Sequence, residues 1–111
     1  MNIKRKILRE LAHLPVPVYF MTNFNANEDT YIVFFIENTK PHASYENEET
    51  AIKYEIMLHI YSRTDYDELA ETVVALLKEA NFSRRYEAED YDDTTQFYIK
   101  AIKLDYIHYI V

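Results

Sequence analysis

The chain contains no glycine, no cysteine and no tryptophan among its 111 residues. Glycine averages about 7% of residues in folded proteins, so its absence constrains every turn as well as the chemistry. Loops that cradle phosphates need glycine for tight turns and close backbone approach, which excludes a P-loop and a dinucleotide-binding fingerprint. Without cysteine there is no disulfide framework, no thiol nucleophile and no thiolate zinc site. Long apolar runs are missing too. None approaches the ~20 residues that cross a bilayer, and Met1 to Leu14 lacks the uninterrupted apolar centre of a signal peptide. Cytosolic synthesis without a membrane partner is expected. Basic charge is also short, with 12 Lys and Arg against 19 Asp and Glu and a net charge of −7. Sequence-general nucleic-acid binding uses clustered cations to displace counterions, so repulsion from DNA is the expectation. Lys4, Arg5, Lys6 and Arg9, and later Arg84 and Arg85, read as solvated faces that could still touch phosphate.

What is present describes one folded domain over residues 1–111. Charged residues make up 28% and apolar types 49%, matching neither a disordered tail nor a membrane protein. Tyrosine is in excess, at 11 residues. It suits pleated strand surfaces, and equally interfaces where the ring is buried and the hydroxyl stays wet, so both uses stay open.

Ile3, Ile7, Leu8, Leu11 and Leu14 recur at helical spacing, which predicts an amphipathic helix ended by Pro15 and Pro17. Val16, Val18 and Phe20 follow as a short strand, with Pro17 pointing to an edge position. Asn23 to Asp29 reads as a turn. Tyr31 to Ile36 is apolar throughout, a strand either covered on both sides or meeting another subunit on its second face. Glu37 to Thr50 is the longest polar stretch and reads as a loop. Ile52, Tyr54, Ile56, Leu58 and Ile60 then form the core face of a long strand. At "IYSRTDYDEL" that strand hands over to a helix. Thr64 or Asp65 can accept from free amides of the first turn, and Asp65 with Glu68 has capping-box spacing. Leu69, Val73, Leu76, Leu77 and Ala80 line the helix, Asn81 takes the left-handed cap position, and Phe82 folds back. Arg84 to Asp93 predicts a short strand plus turn, and the change of apolar phase from Phe97, Ile99 and Ala101 to Ile102, Leu104 and Tyr106 predicts a bulge near Ala101. The class is α+β, with a largely antiparallel or mixed sheet of about five strands and two helices on one side.

Catalytic patterns are sparse. His13, His42, His59 and His108 lie in different elements; a metal site from His59 and His108 is conceivable, against surface imidazoles on a sheet. Glu87, Glu89, Asp90, Asp92 and Asp93 lack the glycine of a calcium-binding loop and read as a solvated turn. Ser44, Ser62 and Ser83 lack a nucleophile-elbow context. No enzyme activity, metal or cofactor is expected, although carboxylate-dependent chemistry stays open as an alternative.

The passage "YEIMLHIYSRTDYDELAETVVALLKEANF" followed by "YDDTTQFYIKAIKLDY" resembles the tail terminator, or tail completion (head-tail joining), proteins of long-tailed phages and prophages of Gram-positive bacteria. The resemblance rests on Tyr61, Ser62, Asp65, Tyr66, Leu69, Phe82, Tyr91, Asp92, Asp93, Thr94, Tyr98, Lys100 and Ala101 and covers the C-terminal half. Two positions depart from that family's pattern: Asn81 stands where glycine is usual, and Ile99 where a basic residue or histidine is common. The resemblance implies a structural protein of the virion, made in the bacterial host and placed at the head-proximal end of the tail. Its partners would be itself in a ring, usually a hexamer, the tail tube protein and the head connector or stopper. DNA would pass through the channel without specific binding. Expected protein-contact positions are Tyr31, Phe35, Tyr45, Tyr91, Asp92, Asp93, Tyr98 and Lys100. A head-completion or stopper protein of the same connector region is the alternative, followed by a small protein-binding domain outside phages.

Overall fold

A computed structural model describes residues 1–22 and 28–110; of the turn expected over Asn23 to Asp29, residues 23–27 lie outside the described residues. The elements run α1 (Ile3–Glu10), β1 (Val18–Phe20), β2 (Thr30–Tyr45), β3 (Glu48–Ser62), α2 (Asp67–Glu79), β4 (Ser83–Asp92) and β5 (Phe97–Tyr109). The strands form one mixed sheet in the order β1-β2-β3-β5-β4. Among the described residues only β1, an edge strand as Pro17 foretold, pairs in parallel; the other pairs are antiparallel.

Both helices cover the same face. Rows read across the sheet from β2 to β3 to β5, Ile32–Ile60–Lys100, Phe34–Leu58–Ile102 and Ile36–Ile56–Leu104, point towards them. Ile3, Ile7 and Leu11 of the α1 segment and Ala70, Val73, Val74 and Leu77 of α2 complete the core. The buried stripe of α2 is turned slightly from the expected one, with Leu69, Leu76 and Ala80 at its margin. Each helix is started by a side chain: Asn2 Oδ1 accepts from the Arg5 amide at 3.0 Å, and Asp65 Oδ1 from the Asp67 amide at 2.9 Å. These bonds satisfy amides that a helix start leaves free.

Without glycine, left-handed backbone falls to other residues: Met21, Glu46, Asn47, Asn81 and Gln96 all have positive φ. Asn81, at φ 74°, closes α2 as expected. The Phe82 amide donates to Leu77 O at 2.9 Å and the Asn81 amide to Lys78 O at 3.0 Å, the paired bonds of a Schellman motif. Phe82 thereby turns into the core, only 3% exposed.

Two expectations fail. Glu37 to Thr50 is not a loop: β2 and β3 stay paired as far as Tyr45↔Glu48, joined by Glu46 and Asn47 at φ 50° and 69°. Two positive φ values in a two-residue connection are those of a type I′ turn, whose twist matches the strands. Residues 37–49 are exposed, so no buried face imposes the alternation by which a strand is read. Nor is there a bulge near Ala101, because β3 and β5 pair without a shift from Ala51↔Tyr109 to Ser62↔Tyr98. The apolar phase changes because Phe97, Ile99 and Ala101 face away from the helices. The register shift lies instead in β4, between Arg84 and Tyr86.

Strand length sets the shape. At about 3.3 Å per residue, β2 alone spans about 50 Å, and the molecule measures 52 × 26 × 24 Å. Its radius of gyration is 15.2 Å, against about 13 Å for a compact chain of this length. The far ends of β2, β3 and β5 form an arm beyond the helices.

Asn81 is the simplest test of how a glycine-free chain ends a helix. Asn81→Gly should keep or slightly raise stability in urea unfolding, whereas Asn81→Val should lose about 1–2 kcal/mol because a β-branched side chain clashes in left-handed backbone. Equal stability of the two variants would contradict the cap assignment.

Candidate functional site

The sheet face turned away from the helices carries the most unusual surface. An antiparallel sheet solvated on one side normally shows polar residues there. Here the rows from β2 through β3 and β5 to β4 read Tyr31–Tyr61–Ile99–Asp90, Val33–His59–Ala101–Ala88 and Phe35–Met57–Lys103–Tyr86. Val33, Phe35, Met57, His59, Tyr61, Ile99 and Ala101 are half-buried although no helix among the described residues lies over them.

Aromatic packing closes one end. Tyr31 stacks on Tyr61 with centroids 4.9 Å apart, and Phe97 meets Tyr31 edge-on at 5.6 Å. The Arg63 guanidinium lies 4.2 Å from the Phe97 centroid. Salt bridges close the other end. Lys103 pairs with Glu37, while Asp105 pairs with Arg85 and, at 3.3 Å, with Lys53. Burial alone would raise the Asp105 carboxyl, but Arg85 and Lys53 overcome it and hold the group below its ordinary range.

The apolar strip lies between these ends. A groove of about 380 Å³ along it is lined by His59, Tyr61, Ala88, Glu89, Asp90, Ile99 and Ala101. His59 meets Phe35 edge-on at 5.8 Å, and its Nδ1 lies 3.4 Å from the Tyr61 hydroxyl. Burial pushes the imidazole below its ordinary value and the Tyr61 phenol above its own. A neutral histidine among aromatics suits an apolar contact better than a proton-transfer site.

The expected contact residues fall in four places. Tyr31 and Phe35 lie on the open face, but Tyr31 is only 7% exposed, locked in the aromatic cluster. Tyr45 stands at the tip of the arm, 71% exposed. Tyr91, Tyr98 and Lys100 come together on the helix side of the β4–β5 hairpin. There Tyr91 and Tyr98 have centroids 4.8 Å apart, and Lys100 pairs with Glu89 at 2.9 Å and Glu87 at 3.1 Å. The bond to Glu89 raises the Lys100 ammonium above its ordinary value. Asp92 shapes the turn, accepting from the Thr94 amide at 3.0 Å and the Thr95 hydroxyl at 2.9 Å, with exposed Asp93 beside it.

Other patterns resolve structurally. His59 and His108 sit on opposite faces of the sheet, so they do not form a joint site. Glu87 and Glu89 of the acidic run are bound to Lys100. Among the described residues no group of three or more His, Asp or Glu is placed to hold a metal ion. No helix among them is long and apolar enough to cross a membrane. Sequence reasoning missed Met57, His59, Ala88, Ile99 and Ala101 as parts of one face. Their signal was the second apolar phase of β5.

No protein-family model and no curated protein matches the chain. Among solved structures, the fold is similar to that of a chain from the virion of a native gene transfer agent (GTA) particle, with a TM-score of 0.63. The likeness spans 91% of this chain and 87% of that one at 11% sequence identity, which establishes a common fold.

His59 gives the face a pH signature. Its folded pKa lies below the ordinary 6.5, so the unfolded chain binds the proton more tightly. Stability contributed by the neutral ring is complete above pH ~6.5, falls as pH drops towards the folded pKa, and is level below it. Urea unfolding at about pH 7.5 and about pH 5 should show a smaller acid loss in His59→Gln than in the parent chain. An identical loss would contradict the assignment.

Proposed function

We propose that this protein is a structural component of a phage-type virion, a tail terminator that caps the tail tube as a ring and offers a surface for joining the head. The observation that carries the reading is the fold shared with a virion chain across nearly the whole length of both molecules. The C-terminal motif from Tyr91 to Ala101 supports the finer assignment through its resemblance to tail terminators.

The physical role is adhesion between protein surfaces, without catalysis. The apolar strip formed by Val33, Phe35, Met57 and Ile99 is the kind of surface a soluble protein covers with a partner. Within the proposed ring, usually of six copies in that family, the strip faces the tail tube protein. The acidic balance of the chain serves the channel: like charges repel over about 8 Å at physiological salt, so a passing genome is not gripped.

Deleting the gene from its phage or prophage and imaging the particles tests the reading. Separate filled heads and tails, or tails of uncontrolled length, are expected, with rescue by the parent gene. A Phe35→Lys, Met57→Lys variant that folds, judged by circular dichroism, should fail to rescue. Normal infectious virions after deletion would overturn the proposal.

A further inference from the structure

The tip of the arm and the outer face of α1 carry opposite charge around matching apolar centres. At the tip, Tyr45 is 71% exposed and is surrounded by Glu46, Glu48 and Glu49, all exposed and with no ion pair among the described residues. On α1, Leu8 is 40% exposed between Arg5 and Arg9, which are likewise exposed and lack carboxylate partners among the described residues. Elsewhere some charges are paired, as at Lys100, Lys103 and Asp105, and others are not paired among the described residues, as at Asp67, Glu68 and Glu71 on α2. What marks the tip and α1 is the combination: each sets an exposed apolar side chain, Tyr45 or Leu8, among exposed charges of a single sign.

The two patches cannot meet in one molecule. The α1 helix lies over the root of the arm, with Lys6 5.4 Å from the centre of the Tyr106 ring. Tyr106 pairs with Tyr54, and Tyr54 with Thr39. From Thr39 to Tyr45 the paired strands run about 20 Å further out.

We infer that the arm tip of one copy docks on α1 of the next copy, Tyr45 packing on Leu8 and the tip carboxylates facing Arg5 and Arg9. Each copy then offers one tip and one helix. Such a contact is head-to-tail, and it closes into a ring when the rotation between copies allows. The inference rests on the proposed multi-copy assembly and names the surfaces that join the copies.

The natural lack of cysteine gives a clean background for a test. Two single variants, Leu8→Cys and Tyr45→Cys, are mixed at low salt and oxidised. Disulfide-linked heterodimers are expected, and few homodimers of either variant. Reversing the helix charge in the Leu8→Cys chain (Arg5→Glu, Arg9→Glu) should cut the yield about tenfold. Reversing the tip of the Tyr45→Cys partner as well (Glu46→Lys, Glu48→Lys, Glu49→Lys) should restore it. Heterodimers no more abundant than homodimers, or a yield indifferent to both reversals, would overturn the contact. Cross-linking reads the contact and not the particle. Failure here alongside abnormal virions after deletion removes only this interface, whereas specific cross-linking with normal virions removes only the virion role.

Discussion

The structure depends on a mismatch of lengths between its two layers. Thirteen residues of α2 make a rod of about 20 Å, whereas the sixteen of β2 run about 50 Å. A helix layer of that size can bury the rows from Ile32 to Leu104 but not the full strands. The same shortage leaves the second face of the sheet with no helix over it among the described residues. Both exposed features, arm and open face, follow from this one constraint.

Each is shielded differently. On the open face, stacked aromatics at Tyr31, Tyr61 and Phe97 and salt bridges at Lys103 and Asp105 shield the two ends. The apolar strip left between them is half-buried by its own neighbours, which limits the apolar surface it leaves open. The arm instead carries polar and charged residues on both sides and ends in a tight turn. The exposed edge strand β4 is charged and bulged at Arg84–Tyr86, which blunts it against pairing with a stray strand. In the proposed virion role these are complementary devices: one surface for a tube, one projection for a neighbour, and an edge closed to uncontrolled association.

The sequence made the architecture readable where a buried face imposes a rhythm. Ile3 to Leu11, Ile52 to Ile60 and Leu69 to Ala80 each have one side in the core, and Asn81 stands where only a left-handed residue fits. Legibility failed where that asymmetry vanishes. Glu37 to Thr50 is strand on both sides of the turn, yet neither face is buried and its polar composition reads as loop. Along β5 the opposite happens: Phe97, Ile99 and Ala101 are apolar on the open face and Ile102 and Leu104 on the other, which imitates a bulge. The positions expected to make contacts divide in the same way. Tyr45 and Phe35 were visible as exposed or doubly apolar positions, whereas the strip is assembled from β2, β3, β5 and β4 and exists only once their register is known.

A cryogenic electron microscopy map of the assembled particle tests the central claim, that adhesion through helix-free surfaces is what this protein does. The account predicts copies of the chain in a closed ring, with Val33, Phe35, Met57 and Ile99 covered by protein. A particle lacking the chain, or a map in which that strip faces solvent in every copy, would contradict it.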